Sequence, residues 1–212
     1  MNSAAPPEAL LFITPDCPHC ATVKRGLEEL ERQGLIGSVT VVDATVQPDL
    51  AAIHGVRAAP WLQLGPFTLT GTYSAAELRQ WAAWAQNGEG MAHYVAHLLH
   101  AGGYAQARAF IHADTRRLQP LLAIVADPSA DLVVRLGVSA LLESYAGSPA
   151  LQALLPQLAA LSRHADHRVR ADVCHLLGLT GDAAARIVLD ALLKDENAEV
   201  REIAQEALAR SG

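Results

Sequence analysis

Thr14-Pro15-Asp16-Cys17-Pro18-His19-Cys20 is the stretch on which the fold of the N-terminal part turns. Before it stands Leu10-Leu11-Phe12-Ile13, a short apolar run of strand character. After it Cys20, Val23, Leu27 and Leu30 recur at the spacing of one helical face. A CxxC pair at a strand-to-helix turn points to redox thiol chemistry. Pro18 fits the first helical position, where its preset φ helps and its missing N–H costs nothing. Cys17 is then the expected N-cap, its sulfur facing the unpaired N–H groups of the first turn. That position and a protonated His19 favour a thiolate, whereas the carboxylate of Asp16 opposes it. Cys20 falls on the apolar stripe, so Cys17 is expected to attack and Cys20 to resolve. A zinc site and a purely structural disulfide are the alternatives. Zinc wants further ligands, but no second CxxC exists and His54 stands alone. A disulfide across two residues closes too small a loop to gain much from chain entropy.

Working outward, Gly34 supplies a helix stop and Ser38-Val39-Thr40-Val41-Val42-Asp43 reads as a strand. Pro48 to Gly55 reads as a short helix. Strands over 61–64 and 67–70 meet at the Gly65-Pro66 turn. Ser74 with Glu77 forms a capping box that opens a helix holding Leu78, Trp81 and Trp84; the two tryptophans read as core or interdomain packing. The order is β-α-β-α-β-β-α, expected to make two parallel pairings and one hairpin, with helices on both faces of the sheet.

This order, with Cys17-Pro18-His19-Cys20 at the first strand-to-helix turn and Pro60 opening the third strand, resembles the thioredoxin fold in its small glutaredoxin-like form over residues 8 to 86. The resemblance implies a cis Pro60 lying against the CxxC, with Ala59 and Trp61 beside it as the substrate-binding residues. It assigns catalysis to Cys17, Cys20, His19, Pro18 and Pro60. Leu11 occupies the place of the family's buried carboxylate, so Cys20 needs another base or water. Gly71-Thr72-Tyr73-Ser74 lacks the family's glutathione-holding pattern, which argues against glutathione dependence. The Pro-His dipeptide is that of an oxidising, periplasmic branch.

The chain has 212 residues, 51% hydrophobic and 18% charged, with a net charge of −6. That is the composition of a well-buried globular protein, with nothing to recruit nucleic acid or an anionic membrane. No apolar stretch is long enough to cross a bilayer, and Met1 to Pro7 carries no basic leader. Three cysteines are too few for a disulfide-stapled secreted domain, so a cytoplasmic location is expected. This favours a reductive role, against the oxidising hint of the dipeptide.

Asn87-Gly88-Glu89-Gly90 breaks the pattern and divides the chain into residues 1–87 and 88–212. Beyond it Asp131-Leu132-Val133-Val134-Arg135, Asp166-His167-Arg168-Val169-Arg170 and Asn197-Ala198-Glu199-Val200-Arg201 share Asp/Asn-x-x-Val-Arg, at steps of 35 and 31 residues. Each is preceded by an apolar helix: Leu118 to Val125, Leu151 to Leu161 and Ala184 to Leu193. The unit is a helical hairpin whose second helix is capped by Asp or Asn and buries its Val. It resembles the HEAT repeat over residues 115 to 212, with 91–112 as an atypical first hairpin. The whole is therefore read as an α/β thioredoxin-like fold followed by an all-α HEAT-repeat solenoid, whose stacked hairpins offer a scaffold for a protein partner. Arg135, Arg170 and Arg201 are expected to pair with acids of the same or neighbouring repeat rather than form an anion ladder. Cys174 is expected as a buried, inert thiol. His93, His97 and His100 share a helical face, with His112 on the next helix; a surface stripe is preferred to a metal site. No metal and no cofactor are expected. Two functions lead, disulfide exchange with a protein disulfide or dithiol and a redox-switched scaffold without turnover; a metal-handling protein using the CxxC and the histidine stripe is the weaker third.

Overall fold

Alternating apolar residues build a four-stranded mixed sheet from β1 (Ala9–Ile13), β2 (Val39–Asp43), β3 (Trp61–Leu64) and β4 (Phe67–Thr70), in the order β2-β1-β3-β4. The computed structural model describes residues 5–87 and 90–210, which divide into two compact units, Met1–Gly90 and Met91–Gly212. Residues 1–4, on which part of the leader reading rests, and linker residues 88 and 89 lie outside the described residues.

One pairing departs from the sequence expectation. β1 and β2 are parallel, with Ile13 beside Asp43, but β3 runs antiparallel to β1, with Phe12 opposite Trp61. The sheet thus has one parallel pairing, not two. The connection through α2 (Pro48–Ile53) delivers the chain to β3 at the end at which β2 stopped.

Pleating sends Phe12, Val42 and Trp61 to one face, where they cluster with Ala51 of α2. The other face presents Leu11, Leu62, Leu64, Phe67 and Leu69, all fully buried. It is covered by α1 (Cys20–Arg32), which buries Cys20, Val23, Leu27 and Leu30, and by α3 (Ala75–Asn87), which buries Leu78 and Trp81. Trp81 meets Phe67 and Trp84 edge to face at 5.3 and 4.9 Å. Both arms of the capping box form: Ser74 N–H donates to Glu77 at 2.7 Å, and Glu77 N–H to Ser74 Oγ at 3.3 Å.

The second unit is helical. α4 (Gly90–His100) and α5 (Tyr104–Ala113) form a hairpin turned by Gly102, whose φ of 73° suits glycine. A 3₁₀ segment (Thr115–Leu121) leads into α6 (Leu122–Val125), followed by α7 (Leu132–Glu143), α8 (Pro149–Gln152), α9 (Leu155–Leu161), α10 (His167–Thr180), α11 (Ala183–Leu192) and α12 (Ala198–Arg210). The first two outer helices, read as continuous from sequence, are broken. Pro120 sits in the 3₁₀ segment and Pro156 at the start of α9, where the missing N–H and the ring clash interrupt an α-helix. The inner helices α7, α10 and α12 follow the pattern. Asp131, Asp166 and Asn197 accept hydrogen bonds from the N–H groups two residues on, at 2.8, 2.8 and 2.9 Å, and Val134, Val169 and Val200 are buried.

Candidate functional site

Cys17 and Cys20 are joined as a disulfide, with Cα atoms 5.4 Å apart. The tight turn that places them is closed by Cys17 N–H donating to Thr14 C=O at 3.3 Å. Cys20 N–H donates to both Cys17 C=O at 3.3 Å and Cys17 Sγ at 3.1 Å. The helix starts later than the sequence implies: α1 opens at Cys20, with His19 as its N-cap and no side-chain cap bond, so Cys17-Pro18-His19 forms a preceding turn. The Sγ of Cys17 nevertheless takes the N–H three residues on, the bond an N-cap side chain would take. Exposure separates the two sulfurs. Cys20 is 4% exposed on the apolar stripe of α1, whereas Cys17 is half-buried among exposed Asp16, Pro18 and His19.

The Ala59–Pro60 peptide is cis. Pro60 is buried and its carbonyl accepts from Gly71 N–H at 3.0 Å, which continues the β3–β4 ladder outward. Because β3 runs antiparallel to β1, Pro60 stands at the sheet end from which Thr14 to Cys20 departs. Ala59 is half-buried. The Trp61 side chain belongs to the core, 6% exposed, with its ring 5.5 Å from Phe12 and 5.8 Å from His54. His54 also meets Phe12 at 5.4 Å. This aromatic trio was not legible in sequence, where His54 stood alone; its signal is the β1–β3 register, which sets Phe12 opposite Trp61. Leu11 is fully buried, so the sheet offers no carboxylate at that position.

Of the three motif arginines, Arg135 and Arg170 pair with acids of the next repeat as expected, whereas the hydrogen bonds of Arg201 go to backbone carbonyls. Arg170 holds Asp195 through two hydrogen bonds of 2.8 and 2.9 Å and donates to the carbonyls of His164 and Ala165 at 2.9 and 3.0 Å. Arg201 repeats the carbonyl contacts one repeat on, to Asp195 and Glu196 at 2.7 and 3.0 Å. Arg135 reaches Asp172 of α10 at 2.5 Å. Hydrogen bonding to Arg170 holds the Asp195 carboxyl below the usual carboxylate range. Cys174 is fully buried, and desolvation pushes its thiol up to about 12. Along α4, His93 and His100 are exposed and His97 is half-buried, its pKa lowered first by burial and then by His100. His100 Nδ1 lies 3.9 Å from Asp131, and His112 is exposed on α5. Among the described residues no three His, Cys, Asp or Glu side chains are placed to share a metal ion.

Residues 118–209 match the family model for HEAT repeats. The match spans α6 to α12 and agrees with the three Asp/Asn-x-x-Val-Arg motifs. No curated protein matches the chain. The chain is thus a mixed α/β sheet unit followed by a helical unit similar to HEAT repeats, and among the described residues no helix is long and apolar enough to cross a membrane.

Proposed function

We propose that the first unit is a thioredoxin-like thiol–disulfide oxidoreductase and that the HEAT-like repeats are the scaffold that selects its protein partner. One observation carries the reading: a disulfide with one half-exposed and one buried sulfur, at the sheet end where the cis Ala59–Pro60 peptide enters β3. In the reduced protein the Cys17 thiolate attacks one sulfur of a substrate disulfide. A mixed disulfide forms and the first substrate sulfur leaves as a thiolate that takes a proton from solvent. The Cys20 thiolate then attacks Cys17 Sγ and expels the second substrate thiolate. Two electrons pass to the substrate and the Cys17–Cys20 bond forms; the reverse sequence oxidises a dithiol. The Cys20 N–H aimed at Cys17 Sγ stabilises the attacking thiolate, as a charge-assisted hydrogen bond does, and His19 adds its field when protonated. Ala59 offers its backbone to the substrate chain, while Pro18 and Pro60 shape the turn and the groove.

The test is the equilibrium reduction potential of the pair in a defined thiol–disulfide buffer. Exchange enzymes fall between about −120 and −270 mV, and the position in that range separates an oxidase from a reductase. A pair that resists reduction below about −300 mV refutes turnover. If the pair cycles, and partner binding changes with oxidation but no disulfide is exchanged, the protein is a redox-switched scaffold instead.

A further inference from the structure

We propose that the outer edge of β2 docks an extended segment of a partner protein, β-branched at its centre and basic at both ends, independently of the disulfide chemistry.

β2 is an end strand of the sheet, paired on one side only. Ala9 N–H donates to Ser38 C=O at 3.0 Å and Ala44 N–H to Ile13 C=O at 2.9 Å, so Ser38, Thr40, Val42 and Ala44 turn their backbone groups toward β1. Val39, Val41 and Asp43 alternate with them and turn theirs outward. Two of these outward groups are satisfied inside the chain. Val39 N–H donates to Glu31 Oε1 at 3.2 Å, and Asp43 C=O accepts from the N–H groups of Val46 and Gln47 at 3.2 and 3.0 Å. Among the described residues Val39 C=O, both groups of Val41 and Asp43 N–H have no protein partner. Together they match an added strand of five residues whose third lies opposite Val41. Sheet edges are commonly blunted by lysine, proline or a bulge. Val39-Thr40-Val41-Val42-Asp43 has neither residue, and its five pairs with β1 are consecutive.

Side chains at this edge select the occupant. Val42 clusters with Ala51 of α2, so Val39, Val41 and Asp43 turn to the face covered by α1. Glu31 stands at the Val39 end of that face. Asp43 ends the other, its carboxyl held below the usual range by the hydroxyl and N–H of Thr45 at 2.6 and 2.8 Å. Glu8, bonded to the Ser38 hydroxyl, adds a carboxylate beside the start of β2. The cations of α1 are engaged or turned away. Lys24 pairs with Glu28 at 3.7 Å and Arg32 with Glu29, while Arg25 lies on the side of α1 opposite Val23 and Leu27. At the Asp43 end the connections also carry Asp16, Asp49, the imidazoles of His19 and His54, and Arg57. Arg57 precedes β3, which is two strands, about 10 Å, from this edge. A second copy paired antiparallel about Val41 would set its Asp43 against Val39 and Glu31, like charge on like. A strand with Lys or Arg at its first and fifth residues meets a carboxylate at each end.

The probe is the acetylated, amidated peptide Lys-Thr-Val-Thr-Lys, whose palindromic sequence reads alike in either strand direction, added to isotope-labelled full-length protein. The amide resonances of Val41 and Asp43 are expected to shift and their hydrogen exchange to slow, while Thr40 and Val42, bonded to β1, change little. Glu-Thr-Val-Thr-Glu is expected to bind about tenfold more weakly at low salt, a gap that added salt compresses. N-methylating the central valine of the basic peptide removes one of four bonds and is expected to weaken it about fivefold. Glu31→Gln is expected to cut the basic-over-acidic ratio to about a third. The proposal is overturned by unmoved Val41 and Asp43 amides at about 10 mM peptide, by equal binding of the basic and acidic peptides, or by indifference to N-methylation. It is likewise overturned by Val41 shifts that grow with protein concentration alone, which would give the edge to a second copy.

Discussion

Replacing Arg170 by alanine is expected to destabilise the helical unit by about 3 kcal/mol. The Arg170 and Asp195 side chains are 8% and 9% exposed. Their bidentate bonds, with the carbonyl bonds to His164 and Ala165, tie the start of α10 to the loop that precedes α12. Deleting one partner of such a pair costs about 3 to 5 kcal/mol, because the other is left buried and unpaired. Asp195 keeps the N–H of Asn197 at 2.9 Å, which puts the loss at the lower end. Arg135→Ala is the internal control. Its pair with Asp172 is 20% and 40% exposed, so its loss is expected to cost under about 1 kcal/mol. Urea unfolding followed by far-ultraviolet circular dichroism reads the helical unit. Trp61, Trp81 and Trp84 all belong to the first unit, so tryptophan fluorescence reads that unit separately. With a slope of about 2 kcal/mol per M, Arg170→Ala is expected to lower the dichroism midpoint by about 1.5 M and leave the fluorescence midpoint in place. The pH dependence has a defined sign. Asp195 has a folded pKa below its unfolded value of about 4, so its stabilisation is complete above pH 4 and is lost as pH falls through the folded value. The gap between wild type and variant is therefore expected to close in acid. An Arg170→Ala loss no larger than that of Arg135→Ala, or a gap unchanged down to pH 2.5, refutes the reasoning.

Ser74→Ala removes both contacts of its hydroxyl with Glu77 and is expected to cost the first unit about 1 kcal/mol, read by the fluorescence midpoint. Cys174, buried and with its thiol pushed up to about 12, is expected to resist a thiol reagent at pH 8 until urea unfolds the helical unit, whereas reduced Cys17 reacts at once. A Cβ at Gly178 would lie 2.8 Å from that of Ala207, so Gly178→Val is expected to destabilise by about 1 to 3 kcal/mol. Ala207→Gly in the same chain is expected to recover part of that loss; no recovery would place the clash elsewhere.

Much of the fold was legible because local chemistry and packing agree. Cys20, Val23, Leu27 and Leu30 named the buried face of α1, and Ser74 with Glu77 named the start of α3. The strands at 61–64 and 67–70 were bounded by Gly65-Pro66. The direction of β3 was not legible from the order of elements alone. It depends on the sheet end to which the link through α2 delivers the chain, which hydrophobic periodicity does not encode. The cysteines and Pro60 could be named from sequence, whereas the contacts of His54 with Phe12 and Trp61 arise from strand register, which no single segment carries. In the repeats, the motif marked the arginines but not their reach. Arg135 and Arg170 occupy equivalent positions, yet one meets an acid on the next inner helix and the other an acid in the next loop.

That inequality gives the solenoid a grain. The seam between α10 and α12 is fastened by a guanidinium that bonds both its own repeat's loop and the next, and the two helices pack closely along their length. The seam between α7 and α10 has the more exposed Arg135–Asp172 and His175–Glu143 bonds and, along its edge, a shallow crevice lined by Ile124, Val138 and Ser139. Pulled or thermally strained, such a stack is expected to part first at the looser seam, leaving the last two repeats together.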